Sequence, residues 1–331
     1  MIRNKIANEK TLLHARRVAL ASRFSLWAGL AVALALSATP GKAQSAATQS
    51  AARASQGANQ RQIILITGST SGLGREVALR LAATGAHIIV HGRNRERGME
   101  VVSEIEKEGK GSAKFYAADL ASFQQTREFA ETILRDYDRL DVLINNAGIW
   151  LKPEDGRQVS ADGHELTFAV NYLSGFLLTR MLLPRIIQSA PSRIVNVASN
   201  AQGRATIDFD NVMLERNYSD SRAYSQSKLA QVLFTFDLAR ELQGTGVIVS
   251  AMHPGSFMDT NMIFSRGGQP RSSVKDGTEA VFRLVTSPDL ESGQYFNVLK
   301  QERASNALAY DEAAREKLRK LSIQLTGVSP Y

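Results

Sequence analysis

The chain has no cysteine, and its five histidines (His14, His87, His91, His164 and His253) lack the spacing of a metal-ligand set. No zinc site is expected, and no other metal site is read. The missing cysteine fits an oxidising compartment without deciding for one. No arginine stripe or nucleic-acid motif is present, and no internal repeat. The formal net charge of +8 is concentrated at the start. Residues 1–43 carry seven basic side chains (Arg3, Lys5, Lys10, Arg16, Arg17, Arg23 and Lys42) against Glu9 alone, which leaves 33 basic against 31 acidic residues in the body. So balanced a body does not call for a nucleic-acid partner.

The basic start is followed by an apolar stretch of 15 residues, FSLWAGLAVALALSA at 24–38, and a small-residue exit ending at Ala43. That stretch is short of the roughly 20 residues that span a bilayer as a helix. Residues 1–43 are therefore read as a cleaved export signal, with no stable membrane span in the mature chain. Arg16 and Arg17 suit a twin-arginine route to a periplasm. An anchor at 24–38 and an organellar presequence are the competing readings. Residues 44–61 are small and polar and read as a linker. From 62 onward strands and helices alternate over about 270 residues, which predicts one α/β domain with a parallel sheet covered on both faces.

The run QIILIT at 62–67 reads as a buried parallel strand and leads into TGSTSGLG, with glycines at Gly68, Gly72 and Gly74. Helical periodicity follows from Arg75. Glycines between a strand and a helix let backbone approach a pyrophosphate, and the free amides of the helix start favour its charge. After the second strand, HIIVH, come Gly92, Arg93 and Asn94. The acid that would hold the ribose hydroxyls of NAD is missing, and Arg93 suits a 2′-phosphate, so NADP is favoured over NAD. Arg95 and Arg97 stand at the start of the next helix, where they add positive charge near Arg93 or are simply solvated. Asp119 and the run Asn145, Asn146, Ala147 and Gly148 lie at further strand ends, where open parallel sheets place ligands. Asp119 could accept from an adenine amine, whereas Asn145 reads equally well as a backbone brace.

Ser199 closes the strand-like RIVNVAS, and Tyr224 and Lys228 follow 25 and 29 residues later in YSQSK. Positions i and i+4 share a helix face, so the Lys228 ammonium is expected beside the Tyr224 phenol, lowering its pKa from about 10. Ser199 would hold a substrate oxygen against Tyr224. Trp150 and Phe257 fit either an apolar substrate pocket or ordinary packing.

Together these marks resemble the single-domain short-chain dehydrogenases/reductases across about 62–297, and the strings NYLSGFLLT and RIVNVAS look closest to the branch of retinol dehydrogenases and related carbonyl reductases. The resemblance implies a Rossmann-type fold and a catalytic tetrad of Asn171, Ser199, Tyr224 and Lys228. It implies cofactor contacts from Gly68, Ser69, Ser71, Gly72, Leu73, Gly74, Arg93, Asp119, Leu120, Asn146, Ala147, Gly148, Tyr224, Lys228, Pro254 and Gly255. A small-molecule carbonyl or alcohol would be the substrate, and the chain would form a homo-oligomer through two long helices near Asn171 and Tyr224. Two departures stand out. Ala198 replaces the first of two serines, and Thr260 comes five residues after Gly255 where the family often places a threonine at four. Residues 256–276 read as a mobile flap over the substrate. A non-catalytic NADP-binding regulator and an NAD-dependent epimerase are the alternatives; the intact tetrad argues against the first, the glycine spacing and missing second domain against the second.

Overall fold

The computed structural model describes residues 61–329, so the leader and all but the last residue of the linker lie outside the described residues. The elements run β1 (Ile63–Ile66), α1 (Gly72–Ala82), β2 (His87–Gly92), α2 (Arg95–Glu108), β3 (Ser112–Ala117), α3 (Phe123–Asp136) and β4 (Val142–Asn145). A long helix, α4, covers Leu166–Gln188. Then follow β5 (Ser192–Val197), α5 (Asp220–Glu241), β6 (Val247–His253), α6 (Asn261–Phe264), α7 (Val274–Thr286), β7 (Gln294–Asn297), β8 (Lys300–Glu302) and α8 (Glu312–Thr326).

One eight-stranded sheet has the order β3-β2-β1-β4-β5-β6-β7-β8, parallel throughout except for β8. The chain winds outward from β1 to β3 and then crosses back to β4 beside β1. That reversal opens a crevice at the carboxyl ends of the strands, where ligands of open sheets bind.

Strand periodicity divides the core in two. Leu65, Ile89, Leu143 and Ile194 point to the face packed by α3, α4, α5 and α8. Ile64, Ile66, Ile88, Val90, Val142, Ile144, Val195 and Val197 point to the face packed by α1, α2 and α7. Strands buried on both sides explain the unbroken apolar runs of β1 and β4. Local signals set the helix ends. Asn94 caps α2 by accepting from the Arg97 amide at 2.9 Å, and Gly109, at φ 70°, ends it. Arg95 and Arg97 sit exposed in its first turn.

Among the described residues, α4 is the one helix long and apolar enough to cross a membrane by length and composition, and it is a core helix, 78 % buried over its most apolar window. Helix α5 is enclosed more completely: every residue from Gln226 to Ala239 is buried within the single chain. Helix α8 packs along it. Arg319 reaches Asp237 at 2.9 Å, and Ser322 shares a 2.7 Å hydrogen bond with Tyr172 of α4. Helix α8 thus lies against α5 within the chain, one of the two long helices through which a homo-oligomer is expected.

Candidate active site

A cavity of about 1340 Å³ lies in the crevice, lined by the glycine loop after β1, the ends of β2 to β6 and the segment 254–265. Every residue expected at the site lines it except Ser69 and Asn171.

The loop after β1 is held from behind. The Gly68 amide donates to His91 Nδ1 at 3.1 Å, and burial lowers the His91 pKa to about 4, so the neutral ring is free to accept. The Asn146 side chain donates to the carbonyls of Thr67 (2.8 Å) and Gly68 (3.2 Å). Gly68 has a φ of +66°, and a Cβ on Gly74 would collide with Asn146 Nδ2 and the Gly68 carbonyl. Ser69 is corrected here: it is fully buried, and its hydroxyl donates to the Ile66 carbonyl at 2.8 Å and accepts from the His91 amide at 3.0 Å. Its side chain braces the loop, and Thr70 takes the place at the cavity. Asn145 likewise braces the sheet, donating to Thr179 and Asn196 at 2.9 Å.

These residues fit a dinucleotide. The N-terminus of α1 receives no side-chain cap from Ser71 and carries no acid in its first turn, so its amides and dipole suit a pyrophosphate. Arg93 stands at the cavity's other reach, its side chain 70 % exposed, 3.8 Å from Asp119. Asp119 accepts from the Ala121 amide at 3.0 Å. Thr260 lines the cavity despite its extra residue of spacing, and its methyl would lie 3.3 Å from a Cβ on Gly72.

Ser199, Tyr224 and Lys228 converge on the cavity from the end of β5 and the second and third turns of α5. The Lys228 ammonium lies 5.6 Å from the centre of the Tyr224 ring, donating to the Val197 carbonyl at 2.8 Å and to Gln231 Oε1 at 2.9 Å. Burial lowers its pKa to about 7. The expected lowering of the tyrosine by this lysine is corrected: burial raises the Tyr224 pKa, and the opposing influence is its hydrogen bond with Ser199. The physical reason is shared. The same burial that would strengthen the ammonium's field also favours its neutral form and the neutral phenol.

Asn171 lies behind the site, in a wide π-turn of α4 at Ala169–Leu173. Its Oδ1 accepts from the Ile149 amide at 2.7 Å, and its Nδ2 donates to the Ile149 carbonyl and to Ser227 Oγ, both at 3.0 Å. It thus ties the loop after β4 to α5. His253, at the end of β6, lines the cavity, donates to or accepts from Ser256 Oγ at 3.1 Å, and is lowered to about 4 by burial and then by Lys228.

Trp150 stacks on Tyr224, ring centres 4.8 Å apart and planes 20° from parallel. The segment expected as a mobile flap is tied down in several places. Met258 bridges to Ser272, the Arg271 amide donates to the Phe257 carbonyl at 2.9 Å, and Arg266 bonds Asp220 and the Leu151 carbonyl. Sequence reasoning missed Thr70 and Gln231. For Gln231 a signal existed: it falls three residues after Lys228 on the same helix face.

The family model for short chain dehydrogenase matches residues 62–269. Human retinol dehydrogenase 14 is 37 % identical over 294 residues, covering 80 % of this chain and 86 % of that protein. Human retinol dehydrogenase 13 is 39 % identical over 285 residues, covering 80 % and 84 %. Among solved structures, a short chain dehydrogenase from Escherichia coli CFT073 complexed with NADPH superposes with a TM-score of 0.60 at 26 % identity, covering 72 % of this chain and 97 % of that one.

Proposed function

The chain belongs to the short-chain dehydrogenase/reductase family, and from that premise we propose that it is an NADPH-preferring oxidoreductase interconverting a carbonyl compound and its alcohol. The observation that carries this reading is the convergence of Ser199, Tyr224 and Lys228 on one cavity whose other end offers an uncapped helix start and Arg93. The retinol dehydrogenase relatives support an alcohol or carbonyl substrate, and the NADPH-bound relative supports the phosphorylated cofactor.

The dinucleotide, when bound, supplies or accepts the hydride. Gly68 to Gly74 and the start of α1 would hold its pyrophosphate, and Arg93 its 2′-phosphate. In reduction, Ser199 Oγ orients the carbonyl oxygen and Tyr224 gives that oxygen its proton as the carbon receives the hydride, so the product alcohol is balanced in atoms and electrons. A phenol whose pKa is raised stays protonated at neutral pH, the form an acid needs. Lys228, held by the Val197 carbonyl and Gln231 with its ammonium 5.6 Å from the centre of the Tyr224 ring, would hold the nicotinamide ribose beside the phenol. Asn171 fixes the loop and helix on which these groups stand.

The test is a screen of aldehydes, ketones and alcohols against NADPH, NADH and their oxidised forms, followed at the nicotinamide absorbance band. Turnover faster with NADPH than with NADH supports the reading. Absence of turnover across the panel while the dinucleotide binds would favour a non-catalytic binding protein.

A further inference from the structure

Between the flap and the catalytic helix lies a cluster that the mechanism above does not use. The Trp150 indole has Tyr224 stacked on one side and the Arg266 guanidinium 4.0 Å from its ring centre. Its N–H donates to Asp220 Oδ2 at 3.1 Å, and Arg266 Nη2 donates to the same oxygen at 2.6 Å. Arg266 Nη1 also bonds the Leu151 carbonyl. Neither charged side chain is a surface group: they are 12 % and 11 % exposed. Nor do Arg266 and Asp220 line the cavity.

Three separate walls of the cavity meet at this point. Trp150 belongs to the loop after β4, Asp220 is the first residue of α5, and Arg266 belongs to the segment 256–276, whose Phe257, Met262 and Ile263 face the cavity beside Trp150. A helix-first acid is favourable at a helix N-terminus by itself. That bland reading does not explain why Asp220 Oδ2 is shared by an indole and a guanidinium that also lie against each other. Cation–π contacts strengthen when desolvated, and a carboxylate held on both sides is costly to open.

We propose that Arg266, Asp220 and Trp150 form a latch that fastens the 256–276 segment over the substrate cavity and, through the stacked indole, fixes the Tyr224 phenol. All three are positioning residues. With the latch shut, the indole keeps water from one face of the phenol and the flap's apolar side chains form the substrate wall. With it open, the wall loosens and the phenol is hydrated. The second consequence rests on the reading of Tyr224 as the proton donor; the first does not.

The experiment uses the full chain with Trp27→Phe, which leaves Trp150 as the sole tryptophan of the two in the sequence. Acrylamide quenching of its fluorescence reports on the latch without any activity. Arg266→Ala is expected to raise the quenching constant about twofold or more. It should raise KM for a reducible substrate about tenfold, which corresponds to about 1.4 kcal/mol, with a smaller fall in kcat. It should also move the alkaline limb of the kcat profile to lower pH, because a hydrated phenol loses its proton more readily. Asp220→Asn keeps an acceptor for the indole and removes the ion pair, so it should reproduce the KM effect. It also serves if Arg266→Ala does not fold. Arg266→Lys, which keeps the cation, should restore most of the quenching protection. The double variant should be no worse than the worse single variant, as for two members of one device. Unchanged quenching and KM in Arg266→Ala, or additive losses in the double variant, would overturn the latch. Full activity of Tyr224→Phe would overturn the proton-donor reading instead, and the quenching result would still judge the latch.

Discussion

At the residue scale the site depends on what burial does to protons. Tyr224→Phe keeps the ring stacked on Trp150 and removes only the hydroxyl. Its kcat for carbonyl reduction should fall on the order of a hundred- to ten-thousand-fold, the usual worth of a general acid, with NADPH affinity and folding retained. Lys228→Ala should lower kcat and weaken NADPH binding together, as single-turnover rates beside dissociation constants will show. Arg93 is an exposed residue with only a long contact to Asp119, so its side chain is available to a 2′-phosphate. Arg93→Ala should raise KM for NADPH about tenfold, from loss of a charge-assisted bond, and leave KM for NADH nearly unchanged; equal effects on both would sink the assignment. Tyr224, Lys228 and Arg93 were legible in the sequence because each is a chemical type at a fixed offset from a strand or helix signal. Ser69 misled because sequence shows which residues belong to a loop and not which way each side chain turns, and here Ser69 turns inward and Thr70 outward.

At the scale of elements, the glycine loop, the π-turn of α4 and the start of α5 are separate pieces that polar side chains stitch together. Asn171 makes three hydrogen bonds, two of them to the backbone of Ile149 and one to Ser227. Replacing it with alanine leaves buried polar groups unpaired, at about 1–3 kcal/mol each. Asn171→Ala should therefore lower the thermal midpoint and kcat together, measured by calorimetry and by turnover of the same preparation. A variant with wild-type stability and lost activity would instead place Asn171 in the chemistry. The strand runs and the amphipathic helices were readable from periodicity, and the long helices near Asn171 and Tyr224 lie where the sequence put them. Their ends were less so: α1 begins at Gly72, three residues before the first periodic position, because the glycine loop itself supplies the first turn.

At the scale of the whole molecule, burial makes two statements. Residues Gln226 to Ala239 of α5 are enclosed on all sides by the chain, with α8 as part of the enclosure. The homo-oligomer expected from the family resemblance is checked by light scattering coupled to size exclusion: a dimer or tetramer that persists on dilution is the expected outcome, and a monomer would overturn it. Buried neutral histidines tie stability to pH. His91 and His253 fall from an ordinary 6.5 to about 4 in the folded chain, so between those values the unfolded chain binds more protons. Stability is lost as pH falls from 6.5 towards 4, on the order of 3 kcal/mol for each histidine at about 1.4 kcal/mol per unit. Glu165, raised by burial, acts in the opposite sense above its ordinary value. Urea midpoints measured across that window should fall with pH, and His91→Gln should flatten the slope.

The alternation of apolar runs, the glycines after β1 and the spacing of Ser199, Tyr224 and Lys228 determined the sheet, the crevice and the polar groups that meet in it, because each is a property of neighbours along the chain and of a repeat of two or 3.6 residues. What tertiary structure alone decided are relations between distant segments: α8 folding back to cover α5, His91 accepting from Gly68, and Arg266 reaching across to Asp220 and Trp150. It also decided the proton affinities of Tyr224 and Lys228. Those depend on how much water and charge surround a group, and that is fixed only when residues far apart in sequence close over it.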